Sequence, residues 1–378
     1  MTLIAILIIV LYTLLIGVFI VGFFKVKEFN SNSDTLSNSF SIIIPFRNEV
    51  ENLPQLLTSI SKLKYPCEKF EILLINDDSS DNYNSIIDVF KSEHSHIILK
   101  VLDNKRQSNS PKKDAIETGI QHSKFEWILT TDADCVVPNL WLQTLNSFIL
   151  QNAPYLIAGP VSFPKANSFL DHFQQLDLSA LIGTTIGGFG IKNPFMCNGA
   201  NLCYRKDIFL KLNGFEGNNH VASGDDIFML EKMNAQFPKK VFYLKSYDAL
   251  VFTSTEKPLT GLLQQRIRWA SKATSYSNWF SKFVSMLVFL TNIIFILSLI
   301  QIFILKNARS YYFMVALMKI IIDFIIIWQT LNFSKNQKSS LWYPLIAFLH
   351  PVFILNTALL SLISGKYNWK SRSFSNKQ

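Results

Sequence analysis

Hydrophobic and polar positions divide the chain into an apolar start, a mixed centre and an apolar end. The run from Leu3 to Phe24 carries no charge and is long enough to cross a bilayer as one helix. It has neither the basic start nor the small-residue cleavage site of a signal peptide, so we predict a retained anchor at residues 1–24. Lys25 and Lys27 follow directly, which favours a cytoplasmic position for the next domain.

Alternating strand and helix patterns occupy residues 41–255, behind a predicted linker at residues 25–40 that is rich in Ser and Asn. Short apolar runs predict strands, and apolar positions at helical spacing predict helices. The strands are predicted at residues 41–44, 71–75, 97–102 and 126–130, and the helices at residues 52–63, 111–122 and 138–150. This order predicts an α/β domain with a mostly parallel, Rossmann-like sheet that is covered on both faces.

Three apolar spans and a basic tail end the chain, at residues 283–305, 311–331, 341–363 and 364–378. Lys319 and Asp323 interrupt the second span four residues apart, so we expect them to pair on one helix face. Three crossings after a cytoplasmic domain would leave the C-terminus outside, whereas the basic residues of the tail favour the inside. The last span contains Pro344 and Pro351, and it is the span that we expect to cross incompletely.

The composition favours a membrane protein and argues against two other classes. Hydrophobic residues make up 49% of the chain, with 32 Phe, which is too apolar for a purely soluble protein. The net charge of +9 includes no Lys/Arg block among aromatic residues, so we expect no nucleic-acid binding. The four cysteines form no CxxC pair and have no His cluster beside them, so we expect reduced thiols in the cytosol and no zinc site.

Acidic residues follow three of the predicted strands. Asp132 and Asp134 are spaced i, i+2 after the fourth strand, so both side chains leave it on the same side. Hard oxygen ligands of this kind suit Mg²⁺ or Mn²⁺, which keep coordination sites for substrate phosphates. Glu49 follows the first strand, and Asp77 and Asp78 follow the second. Like charges that meet at one sheet edge repel unless cations compensate, so a metal site is predicted, with a solvated turn as the alternative.

Five motifs resemble, in kind and order, those of the family 2 glycosyltransferases, which are GT-A enzymes that transfer sugar from a nucleotide-sugar donor. The motifs are Ile44-Pro45-Phe46-Arg47-Asn48-Glu49, Ile75-Asn76-Asp77-Asp78-Ser79-Ser80-Asp81, Ser110-Pro111-Lys112-Lys113-Asp114-Ala115-Ile116, Asp132-Ala133-Asp134 and Ser223-Gly224-Asp225-Asp226. The resemblance covers residues 40–269 and implies a GT-A fold for the α/β domain. The second motif departs from the family pattern at Ser79, where Gly is common.

The first two motifs resemble the nucleotide side of the family's pocket. The resemblance implies that Pro45 and Glu49 border the nucleotide. It also implies that Asp78 accepts the ring N–H of the base, which favours uracil and therefore a UDP-sugar. Asp81 ends the second motif, and we predict that it caps the N-terminus of the next helix.

The third and fourth motifs resemble the parts that hold the diphosphate and a divalent metal. Lys112 or Lys113 would contact the diphosphate, because a Lys adds charge to an already positive helix start and needs an anion. Solvated surface lysines are the alternative. Asp132 and Asp134 match the family's metal-binding Asp-x-Asp, in which the second acid is usually the direct ligand. Bound Mg²⁺ or Mn²⁺ would offset the charge that grows on the leaving diphosphate.

The fifth motif resembles the part of the family that carries the catalytic base. An acceptor hydroxyl has a pKa far above neutral, so a carboxylate must take its proton in an inverting displacement. The resemblance makes Asp226 the base and Asp225 its neighbour. An acidic first turn of a helix, which the helix dipole favours, is the alternative.

Two further segments resemble acceptor-side parts of the family. Asn198 and Asn201 would touch sugar hydroxyls, with turn formation as the alternative for both. A predicted interfacial segment at residues 256–282 carries the Gln-x-x-Arg-Trp motif of membrane-embedded members. Its residues here are Gln265, Arg268 and Trp269. Arg pairs with phosphate through two hydrogen bonds and Trp offers a flat face to a sugar, while an amphipathic helix at the membrane surface is the alternative.

Together these features predict an integral protein of the cell's inner or plasma membrane with a cytoplasmic GT-A domain. It would transfer sugar, with inversion, from a UDP-sugar to a lipid or a lipid-linked glycan. A processive polysaccharide synthase is the main alternative, although three apolar spans after the domain are few for a translocation channel. A nucleotidyltransferase and a non-catalytic membrane scaffold are more distant alternatives.

Overall fold

The computed structural model describes residues 2–31, 35–217, 224–271, 278–305, 308–364, 366–369 and 372–375. The chain forms two compact units. We call one the sheet unit, which consists of Lys27–Pro164 and Met196–Ser254. We call the other the helical unit, which consists of Met1–Val26, Lys165–Phe195 and Thr255–Gln378.

The helices are α1 (Thr2–Lys25), α2 (Leu53–Ser61), α3 (Tyr83–Glu93), α4 (Pro111–His122), α5 (Trp141–Asn152), α6 (Phe169–Gly190), α7 (Lys206–Lys211), α8 (Asp225–Gln236), α9 (Leu259–Ala270), α10 (Trp279–Ile304), α11 (Arg309–Phe333) and α12 (Tyr343–Ser364). The strands are β1 (Phe40–Phe46), β2 (Phe70–Asn76), β3 (Ile98–Asp103), β4 (Trp127–Thr130), β5 (Cys135–Val136), β6 (Leu156–Ala158), β7 (Val161–Ser162), β8 (Leu202–Arg205), β9 (Val241–Tyr243), β10 (Val251–Thr253), β11 (Lys366–Trp369) and β12 (Arg372–Ser375).

The sheet unit is built on a seven-stranded sheet with the order β3-β2-β1-β4-β8-β6-β9. The first four strands of that order are parallel, β8 runs antiparallel to β4 and β6, and β9 is parallel to β6. The predicted α/β fold with a mostly parallel sheet is therefore confirmed. A smaller sheet, β5-β10-β7, lies in the same unit.

The central strand β1 is apolar on both faces because helices cover both. Ile42 and Ile44 belong to the core that includes apolar residues of α2 and α5. Ile43 faces the opposite side, where a Cβ placed on Gly119 of α4 would lie 2.6 Å from its Cγ2 atom. Alternate residues of a strand point to opposite faces, so both helix layers pack on one strand. The close approach at Gly119 places the start of α4 near the carboxyl end of β1.

The predicted strands and helices of the sheet unit are present with small changes in their ends. Helix α4 has the predicted bounds, but the Ser110 side chain makes no capping hydrogen bond. Helix α5 begins at Trp141, three residues later than predicted. The Asp81 side chain does not cap α3, which begins at Tyr83; its carboxylate instead accepts a hydrogen bond from the Val50 N–H at 2.8 Å. That bond joins the loops that follow β1 and β2, and the N-cap prediction for Asp81 was wrong.

The segment that we predicted as a linker is bound to the sheet unit. The Asn146 side chain of α5 accepts hydrogen bonds from the N–H groups of Ser37 and Asn38 and donates to the Thr35 carbonyl at 2.7 Å. The Tyr65 hydroxyl donates to the Asn38 carbonyl at 2.7 Å. Described residues of this segment therefore form part of the folded unit, and residues 32–34 lie outside the described ranges.

Asn201 is a structural residue at the start of β8. It is only 2% exposed, and its side-chain oxygen accepts a hydrogen bond from the Trp141 indole at 3.0 Å. Its side-chain nitrogen donates to the carbonyls of Pro160 and Ala249, both at 2.8 Å. A Cβ on Gly159 would lie 2.3 Å from the same side chain, so that position has room only for Gly. The Asn201 amide thus joins three segments of the sheet unit.

Helix α6 is not predicted from the sequence. It starts with a capping box, in which the Ser168 hydroxyl accepts from the Asp171 N–H and the Asp171 carboxylate accepts from the Ser168 N–H. The pattern Ser-x-x-Asp before an apolar run is the sequence signal that would have found it. Although α6 lies within the interval predicted as the α/β domain, it belongs to the helical unit.

The helical unit packs backbone against backbone where α1 meets α6. A Cβ on Gly22 would lie 2.2 Å from the Gly187 carbonyl oxygen, and one on Gly190 would clash with the Gly22 backbone. Small residues allow helices to approach this closely. The expected pair in α11 is confirmed, because Lys319 Nζ lies 2.7 Å from an Asp323 carboxylate oxygen.

Four helices among the described residues are long and apolar enough to cross a membrane. They span Leu3–Lys25, Trp279–Ile304, Arg309–Phe333 and Gln337–Ile363. These include the N-terminal run and the three C-terminal runs predicted from the sequence. Helix α12 continues through Pro351 for 22 residues, a length that permits a full crossing.

We predict that Asn201→Ala destabilises the protein, because it leaves three buried partners without their hydrogen bonds. The expected loss is about 3 kcal/mol of unfolding free energy. The matched control is Asn198→Ala, which removes one local hydrogen bond to the Ala200 N–H and should cost about 1 kcal/mol. Thermal and urea unfolding of the purified protein in detergent measures both, and equal losses would contradict the structural role of Asn201.

Candidate active site

The candidate site lies at the carboxyl edge of the large sheet. Strands β2, β1 and β4 are adjacent and parallel, so the residues that follow them emerge at the same edge. Ligands of open α/β sheets bind at this edge. The predicted residues Glu49, Asp78 and Asp132 follow β1, β2 and β4 in that order.

Lys112 lies between acids from two other segments. Its Nζ atom is 2.6 Å from an Asp132 carboxylate oxygen and 3.7 Å from one of Asp225. Burial alone would lower the pKa of Lys112, but Asp132 and Asp225, with a smaller effect from Asp226, outweigh burial and raise it above its usual value. The ammonium therefore stays charged and brings the starts of α4 and α8 together with the end of β4.

Two glycines, Gly199 and Gly224, allow the backbone to lie close to the acids of the fifth motif. Gly224 precedes α8 with a positive φ of 89°, a conformation that favours Gly. The Asp226 carboxylate accepts hydrogen bonds from the Gly199 N–H at 3.2 Å and from the Ile227 N–H at 2.8 Å. A Cβ on Gly199 would lie 3.0 Å from an Asp225 carboxylate oxygen. Ser223, which opens the motif, lies outside the described residues.

Asp132 and Asp134 have the donor chemistry that a hard divalent cation requires. The Asp134 carboxylate accepts from the Thr253 hydroxyl at 3.4 Å and from the Cys135 thiol at 3.7 Å, both weak contacts. Within the described ranges, no group of three or more His, Cys, Asp or Glu residues is arranged to hold a metal. One or two carboxylates are the usual protein share of a Mg²⁺ site that also uses substrate phosphates. The residues present therefore fit Mg²⁺ or Mn²⁺ bound together with a diphosphate.

Asp78, which the family resemblance predicts to recognise the base of the nucleotide, is an exposed acid. Its side chain is 82% exposed, and Arg47 Nη1 lies 3.1 Å from its carboxylate. Asp78 has a φ of 60°, in the left-handed region. The Ser79 hydroxyl, which stands where the family commonly has Gly, accepts a hydrogen bond from the Asn48 N–H at 3.1 Å. The departure at Ser79 thus adds a hydrogen bond between the loops that follow β1 and β2.

Pro45 and Glu49 lie beside this edge but differ in how accessible they are. Pro45 is half-buried within β1. Glu49 is buried, and its carboxylate accepts a hydrogen bond from the Asn52 side chain at 2.6 Å. The structure therefore gives Glu49 a local role at the start of α2, and its place beside the nucleotide stays a prediction.

The two adjacent lysines of the third motif have different surroundings. Lys112 contacts the acids, whereas Lys113 is 1% exposed and lies over the Phe228 ring, 4.6 Å from its centroid. Lys112 is therefore the lysine placed among the acids of this edge, and its contact with a diphosphate stays a prediction. The prediction that names Lys113 as donor-binding is corrected, because its side chain is enclosed among aromatic residues.

The two asparagines that we predicted on the acceptor side both make hydrogen bonds within the protein. The Asn198 side chain accepts from the Ala200 N–H at 3.0 Å, and the residue is half-buried. The prediction that Asn201 contacts the acceptor is corrected, because its side-chain amide is buried and both its oxygen and its nitrogen are hydrogen-bonded within the protein. For Asn198, the structure agrees with the alternative of turn formation, because its side chain bonds to a backbone N–H two residues later.

The Gln-x-x-Arg-Trp residues lie on α9 in the helical unit, and we call them the α9 motif: Gln265, Arg268 and Trp269. The Gln265 side chain donates to a Glu256 carboxylate oxygen at 3.3 Å. Arg266, which lies inside the motif, is buried and stacks on Trp269 with its guanidinium carbon 4.0 Å from the ring centroid. Arg266 was not singled out from the sequence, and the two arginines of Arg266-Ile267-Arg268 were the available signal.

Two family models match the chain. Glycosyl transferase family 2 matches residues 41–212, and glycosyl transferase family group 2 matches residues 127–363. Glycosyltransferase AglE of Haloferax volcanii is 26% identical over 192 residues, which are 50% of this chain and 58% of that protein. Poly-beta-1,6-N-acetyl-D-glucosamine synthase of Staphylococcus epidermidis is 27% identical over 254 residues, 66% of this chain and 59% of that protein. The chain thus spans less than two thirds of the length of these curated relatives.

A solved structure shares the fold. The mannosyltransferase PcManGT from Pyrobaculum calidifontis, in complex with GDP-Man and Mn²⁺, superposes with a TM-score of 0.58 at 15% identity. The match covers 96% of this chain and 99% of that one. It supports the predicted GT-A fold, and the family group model covers more than half of the chain. The chain therefore belongs to the family 2 glycosyltransferases, as its motifs implied.

Proposed function

We propose that this protein is a membrane-bound inverting glycosyltransferase that moves a sugar from a nucleotide-sugar to a lipid or a lipid-linked glycan. The observation that carries the proposal is the contact of Lys112 with Asp132 and Asp225, which brings three of the family's motifs together. Family membership argues against a nucleotidyltransferase and a non-catalytic scaffold.

The membrane part of the proposal rests on the four apolar helices of the helical unit. We place them in the cell's inner or plasma membrane, with the sheet unit in the cytoplasm. Lys25 and Lys27, directly after the first apolar run, support that orientation because basic residues beside a span favour the cytoplasmic side. Such an enzyme meets a soluble donor on one side and a lipid-borne acceptor at the membrane surface.

The donor diphosphate would lie at Lys112 and the acid pair of β4. Asp134 and Asp132 would hold Mg²⁺ or Mn²⁺, which offsets the negative charge that grows on the diphosphate as it leaves. Lys112 supplies a fixed positive charge at the same edge, and its two acid contacts keep its side chain in place. These residues therefore bind and orient the leaving group.

Asp226 would be the general base. The acceptor oxygen forms a bond to the anomeric carbon while the bond to the diphosphate oxygen breaks, and the hydroxyl proton passes to Asp226. Two backbone N–H groups hold its carboxylate in place, and an ionised carboxylate can accept a proton. One displacement of this kind inverts the anomeric centre.

Asp78 would recognise the base of the nucleotide. Its carboxylate is exposed, and Arg47 holds it at the edge of the sheet. A carboxylate can accept the ring N–H of uracil and also that of guanine. The family resemblance favours a UDP-sugar, while the solved mannosyltransferase that shares the fold holds GDP-Man.

A processive polysaccharide synthase is the second candidate. One observation favours it, the 27% identity to a poly-beta-1,6-N-acetyl-D-glucosamine synthase over 66% of this chain. We prefer single transfer, because only three apolar helices follow the sheet unit among the described residues.

A donor screen on the purified protein tests the proposed function. Radiolabelled UDP- and GDP-sugars are incubated with Mn²⁺ and a total membrane lipid extract, and released nucleotide and labelled product are measured. We expect nucleotide release with a UDP-sugar and one sugar added per acceptor. A ladder of longer products would favour the processive candidate, and release of pyrophosphate would contradict sugar transfer.

We predict that Asp226→Asn nearly abolishes transfer while the donor still binds. Removal of a general base costs about 10²–10⁴-fold in rate, whereas the amide keeps the size of the side chain. Transfer is measured with the donor found in the screen, and donor affinity by isothermal titration. The control is Asp207→Asn, which removes a surface partner of Arg205. A fully active Asp226→Asn protein would exclude this residue as the base.

We also predict that transfer depends on a divalent metal held by Asp134. A chelator should abolish the activity of the unmodified protein, and added Mn²⁺ should restore it. Asp134→Ala should lose about 10²-fold or more, because the charge of the leaving diphosphate is then less well offset. Activity measured over a Mn²⁺ titration checks this. Full activity in the presence of chelator would show that the metal is not needed.

A further inference from the structure

One buried carboxylate joins three helices of the helical unit. Asp177 lies in the middle of α6 and is only 4% exposed. One of its oxygens accepts from Arg266 Nε of α9 at 2.6 Å, and the other accepts from His350 Nε2 of α12 at 2.8 Å. Both carboxylate oxygens are therefore bonded to charged or polar groups on different helices.

Arg266 connects this carboxylate to the α9 motif. It is only 5% exposed, and it donates from Nη1 to the side-chain oxygen of Gln265. Its guanidinium face lies on the Trp269 ring at 4.0 Å. A single buried side chain thus touches two of the three residues of the α9 motif.

Helix α6 also binds the segment that directly precedes α9. The Gln174 side chain makes two hydrogen bonds to the backbone of Glu256, one to its carbonyl and one from its N–H, both at 2.9 Å. The Glu256 carboxylate in turn accepts from the Gln265 side chain at 3.3 Å. Gln265 is therefore held from two directions by contacts that lead back to α6.

We infer that Asp177 and His350 are positioning residues that hold the α9 motif in place through Arg266. The inference rests on the proposed function, because it takes the α9 motif as the acceptor side of the reaction. Neither Asp177 nor His350 belongs to the motifs that resemble the family's. Their contribution comes only from the fold, which brings α6, α9 and α12 to one carboxylate.

Stability alone gives a weaker account of this cluster. A buried ion pair contributes little net stability, and apolar residues of the same volume are often at least as stable. The cluster instead fixes one orientation of the Arg266 side chain. Its guanidinium must contact the Asp177 carboxylate, the Gln265 oxygen and the Trp269 ring at the same time. Acceptor chemistry needs such precision, because a small displacement of a binding group costs about 10²-fold in rate.

The test compares two reactions of the same full-length protein. With radiolabelled donor alone, we expect slow hydrolysis that requires only the acids of the sheet unit. With donor and total membrane lipid extract, we expect transfer that also requires the α9 motif. The measured quantity is the ratio of lipid-bound label to free labelled sugar for protein recovered as a single folded species.

Asp177→Asn and His350→Leu should each lower this ratio by about 10-fold or more, with hydrolysis and donor affinity unchanged. His350→Gln keeps an N–H donor at the position of Nε2 and should restore the ratio to within about twofold of the unmodified protein. The matched control is His172→Leu. His172 lies on α6, and its Nδ1 contacts the Ser339 hydroxyl at 3.0 Å. It has no contact with Arg266 and should leave the ratio unchanged.

The outcomes separate the two proposals. An unmodified protein that transfers no label overturns the proposed function and this inference with it. Normal transfer by the unmodified protein with an unchanged ratio in Asp177→Asn and His350→Leu overturns the inference alone. Equal losses of hydrolysis and transfer also overturn it, because they indicate a general structural role. If Asp177→Asn is not recovered in folded form, the comparison of His350→Leu with His350→Gln decides.

Discussion

One ammonium group, Nζ of Lys112, lies among the acids at the carboxyl edge of the sheet. Asp132 and Asp225 would repel each other at such a short range, and the charge between them makes their approach favourable. A diphosphate bound at this edge, as we propose, would add more negative charge than one lysine can balance. The same electrostatic constraint therefore explains why a divalent cation fits the acids at this edge, Asp132 and Asp134.

The parallel sheet and three glycines make this charge arrangement possible. Parallel strands deliver Asp78 and Asp132 to one edge, and Gly119 lets α4 lie close enough to β1 to bring Lys112 there. Gly199 and Gly224 then allow α8 to start against the same edge, because a larger residue would crowd the acids or strain the backbone. The chemistry of the site thus depends on close packing as much as on the acids themselves.

The sheet and the acid motifs were predictable from the sequence because both are local patterns. Short apolar runs end at polar residues, and α4 has the predicted bounds. The separate roles of Lys112 and Lys113 were not predictable, since adjacent helix residues point in directions about 100° apart and only the packed fold shows which is enclosed. The same holds for Asn198 and Asn201, for which the sequence supports the same prediction although the two residues differ in burial. Asp177 was missed for a similar reason: its partners are on α9 and α12, far away along the chain.

Two buried polar clusters among the described residues of the helical unit differ in their connections. Lys319 and Asp323 are one helical turn apart on α11, and the Tyr12 hydroxyl of α1 donates to Asp323 at 2.6 Å. Lys319 also lies over the Phe295 ring of α10, 5.3 Å from its centroid, so the pair fits a contact that fixes how α1, α10 and α11 pack. Asp177 instead binds donors from two other helices, and one of them, Arg266, holds residues of the α9 motif, to which we assign a chemical role by proposal. A polar group buried in an apolar unit is costly in both cases. Of these two clusters, the second holds side chains that would meet a substrate under our proposal, and for that reason we assign it to the reaction and the first to packing.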